Sequence, residues 1–174
     1  MADSSIQPVP KRQSPGAAKA APRLRFGRRQ RLSHERQFDA VYQAKVRKSS
    51  GPITMFLRPN LAGCPRLGLS VGRRVGSAVV RTSVKRRLRE AFRQLQHQLP
   101  SPPLTDEHAD PLRSPWLDPR PAPPGGGAGA TPGYDLVVAV SPHKSLKPAE
   151  YAALLLSCVN AAHKVWCKRL EGKP

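Results

Sequence analysis

The run Tyr134 to Val140 (YDLVVAV) constrains the fold more than any other segment, because after Asp135 it is apolar at every position. A strand with one wet face alternates apolar and polar side chains, whereas one that is apolar in both registers needs cover on both faces. The run therefore predicts a central, doubly covered strand, for which the rest of the chain must supply neighbouring strands and packing helices.

Those partners can be read from periodicity. Ser33 to Ala44 predicts a first helix, with Ser33 as N-cap and Phe38, Val41 and Tyr42 on one face at i, i+3 and i+4. Pro52 to Leu57 (PITMFL) and Arg66 to Val71 (RLGLSV) predict strands. In the second, Leu67, Leu69 and Val71 form a face to be buried, and Gly68 and Ser70 form a face of small residues. Pro59 to Gly63 between them is turn chemistry, so the two strands are expected to pair as a hairpin. A long second helix is expected from a Ser77 cap to about Gln98, with an apolar stripe through Val80, Val84, Leu88, Ala91, Phe92 and Leu95. Pro148 to Leu170 predicts a third helix, buried through Tyr151, Leu154, Leu155, Cys158, Val159, Ala162 and Trp166. The order helix, strand, strand, helix, strand, helix describes a small α+β domain.

The 174 residues suit one such domain plus tails. Residues 1–22 are polar and Pro-interrupted, and predict a disordered basic tail. Residues 100–133, which hold half of the 20 prolines and Gly125-Gly126-Gly127, predict a flexible insertion within a domain spanning 23–170. No apolar run nears the roughly 20 residues of a membrane span. The first 32 residues lack the apolar block of a secretory signal, although an Arg-, Ala- and Pro-rich start also fits an organellar transit peptide. Cys64, Cys158 and Cys167 form no CxxC and no even framework, so reduced thiols in a cytoplasmic protein are expected.

Charge narrows the function. Thirty Lys and Arg against 11 Asp and Glu leave +19, and most of the cations are Arg. A compact domain repels itself at that charge, and a polyanion offsets the repulsion. Arginine's planar fork suits phosphate oxygens and stacks on bases, which favours nucleic acid over an anionic membrane. Between Arg66 and Arg93 stand nine basic residues and one acid, Glu90, a net charge of +8. Arg81, Lys85, Arg89 and Arg93 follow one another at i, i+4, each pair disfavoured in an isolated helix. A solvated face would alternate signs. Arg86 flanks this ridge, and the apolar stripe is expected on the opposite side. Upstream, Gly72-Arg73-Arg74-Val75-Gly76-Ser77 leads from strand to helix, but its spacing is neither a P-loop nor a dinucleotide fingerprint, so no nucleotide cofactor is implied.

The stretch RLGLSVGRRVGSAVVRTSVKRRLREAFR resembles the signature of the bacterial ribonuclease P protein family, matching at Gly68, Ser70, Arg73, Arg74, Gly76, Ala78, Val79, Arg81, Val84, Lys85, Arg86, Arg89, Glu90 and Phe92. Thr82 and Ser83 depart from it, standing where the family usually has Asn and Arg. Arg31-Leu32, Phe38 and Val41-Tyr42 resemble the family's first helix, and the last strand and helix its closing pair. The resemblance implies a two-layer α+β sandwich, ribosomal-S5-domain-2-like, with about four strands and three helices. It implies a non-catalytic subunit that binds a catalytic RNA and the 5′ leader of precursor tRNA, with Mg²⁺ on the RNA. By that resemblance, Arg73, Arg74, Arg81, Lys85, Arg86 and Arg89 contact RNA, and Phe38, Tyr42 and Ser70 line a leader cleft. For Phe38 and Tyr42, core packing is the competing reading.

The acids agree with a protein that does no hydrolysis itself. A metal-dependent nuclease clusters carboxylates, whereas here Asp106, Glu107, Asp110 and Asp118 all fall in the insertion. His163 and Cys167, four apart on a helix, have no second ligand pair, so no protein metal site is expected. The competing functions are a basic ribosomal-type or RNA-chaperone protein without a processing role, and, more distantly, a self-sufficient nuclease.

Overall fold

A computed structural model describes residues 25–103 and 133–171. The expected tail over 1–22 and most of the expected insertion, with its four acids and Trp116, lie outside the described residues. Three helices, α1 (Glu35–Gln43), α2 (Ala78–Leu95) and α3 (Pro148–Glu171), accompany four strands: β1 (Arg47–Ser50), β2 (Ile53–Asn60), β3 (Arg66–Val71) and β4 (Gly133–Val140).

The sheet order is β1-β2-β4-β3. YDLVVAV takes the central position its composition demands. It is antiparallel to β2 from Ile53↔Val140 to Asn60↔Gly133, and parallel to β3 from Arg66↔Asp135 to Val71↔Val140. Leu136 and Val138 are buried in the main core, while Val137, pointing the other way, is buried in a second cluster with Leu32 and Val41. At a sheet edge this strand would leave a row of unpaired amides and carbonyls.

That placement overturns the expected β2–β3 hairpin. Both strands flank β4, and residues 61–65 bridge next-nearest strands about 10 Å apart, well within the reach of five residues. The hairpin that does form joins β1 to β2, from Arg47↔Phe56 to Ser50↔Ile53, through Gly51 at φ +54°. Strand β1 (RKSS) carries no apolar residue, so periodicity gave no sign of it; it is an edge strand held by backbone pairing. Strand β2 also runs into the expected turn, as far as Asn60. Pro59 lies beyond the last β1 partner, where one edge of β2 is already free and a missing N–H is tolerated.

Helices α2 and α3 cover the main face, burying Val84, Leu88 and Phe92 from α2 and Tyr151, Leu155 and Val159 from α3 against Met55, Leu57, Leu136 and Val138. Ser77 caps α2 as expected, its side chain accepting from the Val80 amide. Val80 itself is 41% exposed, so the apolar stripe begins one turn later, at Val84. At α1 the cap is His34 rather than Ser33, and Gln37 Oε1 accepts from the amides of both residues.

Candidate nucleic-acid interface

Helix α1 crosses the second face of the sheet and covers only part of it. Its Phe38 ring lies on Gly68, where even a Cβ would stand 2.8 Å from Phe38 Cζ. Val41 is buried over Val137. Tyr42 meets Phe56 edge-on at 4.8 Å between centroids and stays 36% exposed. Beyond these rings the next cross-strand row is Ser70, Ala139, Thr54 and Ser49, four small side chains in register across all four strands. Ser49 and Ser70 are exposed, and Thr54 and Ala139 are partly so. The product is a shelf walled by Phe38 and Tyr42 and floored by small residues.

The structure thus brings Phe38, Tyr42 and Ser70 to one place. Phe38 packs partly in the second cluster, so core packing and shelf wall are both true of it; Tyr42 is mainly wall. Phe56 and Arg47, which sequence reasoning missed, extend the wall: the Arg47 guanidinium lies 5.9 Å from the Phe56 centroid. Arg47 sits in the unpatterned edge strand, so it carried no signal beyond its charge. Behind the shelf, Arg66 and Asp135 form a buried bidentate pair at 2.6 and 2.7 Å, joined by Asn60 Nδ2 at 2.6 Å. This pair locks β3 to β4, and buried charges of this kind need such full hydrogen bonding.

Strand β3 leads directly from Ser70 to the basic surface. Arg73 and Arg74 are exposed on a 3-10 turn (Arg73–Val75) that is pinned by buried Val75. Gly76, at φ +142°, then swings the chain into α2, a backbone conformation that favours glycine. At about 100° per residue, Arg81, Lys85 and Arg89 lie at the flank of the buried stripe, not opposite it as expected. All three are half-buried, and Arg81 Nε is buried without a partner. Only Arg86 is exposed on the outer face. Among the described residues, no carboxylate pairs with Arg73, Arg74, Arg81, Lys85, Arg86 or Arg89.

Arg93 and Arg87 leave the ridge. Glu90 takes Arg93 at 2.6 and 2.8 Å, and the hydrogen bond from Arg93 pulls the Glu90 carboxyl down to about 2. Arg87 points to the other flank and donates to Ser145 Oγ and the Leu146 carbonyl ahead of α3. In their place comes a strap: Phe26 packs edge-on against Phe92, Gln30 bonds Gln96, and the Leu32 amide donates to the Leu67 carbonyl. Gln96 shares the flank of Lys85 and Arg89, so the strap brings exposed Arg28 and Arg29 beside the ridge. The doublet next to Arg31 was the available signal.

Away from both surfaces, His163 bridges Tyr134 Oη (2.8 Å) and Cys167 Sγ (3.5 Å). Burial pushes the Tyr134 hydroxyl well above its ordinary range, and the nearby Cys167 adds to that. The three cysteines are free thiols. Among the described residues, no three His, Cys, Asp or Glu side chains gather to hold a metal, and no helix is long and apolar enough to cross a membrane.

Comparison with known proteins places this architecture. The family model "Ribonuclease P" matches residues 26–106. The ribonuclease P protein component of Proteus mirabilis is 41% identical over 80 residues, which is 45% of this chain and 67% of that protein. The chain belongs to the ribonuclease P protein family. The corresponding protein of Photorhabdus laumondii is 43% identical over 79 residues, 45% of this chain and 66% of the relative, so the match spans about two thirds of these relatives' length. The Staphylococcus aureus RNase P protein shares the fold at a TM-score of 0.50 and 19% identity, covering 79% of this chain and 97% of that one. A mutant of it gives 0.53 at 18% identity, covering 76% and 87%. The α+β sandwich with three helices and a four-stranded mixed sheet is therefore the family's fold.

Proposed function

We propose that this protein is the non-catalytic subunit of ribonuclease P: it holds the catalytic RNA on the Arg73–Arg89 ridge and the 5′ leader of precursor tRNA on the shelf. The observation that carries the reading is continuity. One strand, β3, contributes Ser70 to an aromatic-walled shelf and ends at Val71, two residues before Arg73 and its neighbour Arg74, at the head of a ridge with no described counter-charge. Phosphates along the ridge offset its repulsion, and bases lying on Phe38 and Tyr42 stack without regard to sequence, at about 1–3 kcal/mol per base. A subunit that must accept many leaders needs that tolerance. Hydrolysis, and the Mg²⁺ that serves it, belong to the RNA in this reading, and the cytoplasm is its place of work.

Precursor tRNA cleavage assayed with protein alone, RNA alone and both together tests the proposal. Acceleration only with both components is expected. Cleavage by protein alone would make it a nuclease. RNA binding without any gain in cleavage would make it a ribosomal-type or chaperone protein.

A further inference from the structure

Among the described residues, the large hydrophobic side chains left exposed are Tyr42, Val79 and Val80. Tyr42 belongs to the shelf. The two valines stand together in the first turn of α2, with Val79 78% exposed and Val80 41% exposed. Nothing in the packing of the domain requires them there. Val80 leans over Gly76, where an added Cβ would meet it at 3.2 Å, but Val79 touches neither core cluster. A β-branched residue is also a poor choice for an exposed helical turn, because its χ1 freedom is lost.

Their setting identifies what covers them. Arg73 and Arg74 stand on the turn before, and Arg86 lies nearly two turns down the same outer face as Val79. The nearest acid along the helix is Glu90, eleven residues or about 16 Å from Val79 and already held by Arg93. An apolar contact ringed by unpaired arginines suits a ligand with anionic edges and an apolar face. An unstacked nucleotide in folded RNA has that form, with phosphates at its rim and base and ribose faces within. A protein partner would have to set a carboxylate cluster around an apolar knob; an RNA duplex hides its base faces.

Resting on the RNA-binding reading above, we infer that Val79, supported by Val80, is a non-electrostatic anchor within the basic surface, packing against an unstacked nucleotide of the catalytic RNA. Ser83 sits four residues beyond Val79 on the same outer face, where the resembled signature has an arginine. At that point of the face, apolar contact takes a larger share of the binding than charge.

The test measures affinity of the full-length protein for transcribed ribonuclease P RNA across a salt series, with a perfectly paired RNA duplex as the second probe. Val79→Ser should weaken binding to the structured RNA about tenfold at every salt concentration, giving a line parallel to wild type. Duplex affinity and melting temperature should stay unchanged, and Val79→Met should restore most of the loss. Wild-type affinity in Val79→Ser, or equal losses on both probes, overturns the anchor. So does a loss of self-association in place of RNA affinity, which would make the valines a contact between copies. Failure of the wild-type protein to bind the RNA at all would instead sink the function proposed above, so the two failures are distinguishable.

Discussion

Substituting alanine for Gly68 drives a methyl group into the ring that walls the shelf. The new Cβ would stand 2.8 Å from Phe38 Cζ, 2.9 Å from Cε1 and 3.2 Å from Leu32 Cβ. Carbon atoms in contact prefer about 3.5–4.0 Å, so the ring must retreat by about 1 Å. Gly68 has an ordinary backbone conformation, which makes the cost purely steric. Because Phe38 is only half-buried, it can swing outward, and the cost should sit near the low end of the overpacking range, about 1 kcal/mol. For a 174-residue chain that lowers the melting temperature by about 2–4 °C. The functional effect should be larger. A ring displaced from the shelf loses part of a stacking contact worth about 1–3 kcal/mol, or roughly 5- to 150-fold in affinity for leader-bearing substrate. Mature tRNA, which has no leader, should bind the reconstituted particle as before. The mechanism itself is checked by a double-mutant cycle with Phe38→Ala, which removes the clashing ring. The two substitutions should couple by at least 0.5 kcal/mol in stability, each costing less in the presence of the other. Additive effects, or equal losses for substrates with and without leader, would refute the account of Gly68 as the seat of Phe38.

Three further expectations follow from the charges. Arg86→Ala should reduce the slope of log affinity against log salt by about 0.7–0.9, the signature of one lost phosphate contact, while Arg93→Ala, whose charge Glu90 already offsets, should change it much less. Asp135→Ala should destabilise the fold by about 3–5 kcal/mol in denaturant melts, because it leaves the Arg66 guanidinium buried without its carboxylate. Glu90 is held down to about 2 by its hydrogen bond from Arg93, so its contribution to stability is complete above pH 4.5 and lost as the pH falls towards 2. Both side chains are about a third or more exposed, which keeps that contribution small, and Arg93→Ala should move the Glu90 titration seen by NMR back up towards 4.5.

Sequence by itself determined most of what depends on local period and on charge. YDLVVAV announced a central strand, since a segment apolar on both faces cannot tolerate an edge. The stripe read from Val80 to Leu95 announced α2, although its buried part begins at Val84, and Ser77 announced its start. The family signature from Arg66 to Arg93 named the residues of the ridge, because a resemblance carries residue identities over position by position. Tertiary structure alone decided pairing. Strand β4 is far from β2 and β3 in sequence, yet it displaces the hairpin they would otherwise form, because burying Val137 and Val138 on opposite faces outweighs a short connection. Strand β1 forms where β2 offers it an edge and α3 packs against it; four polar residues carry no pattern of their own. The same holds for part of the interface. The flank position of Arg81, Lys85 and Arg89 follows from the helix period itself, but how Arg87 is diverted to the loop before α3, and how Phe56 and Arg47 join the shelf, are set by contacts between separate elements. Periodicity records how a side chain relates to its own backbone; only packing settles which neighbour it meets.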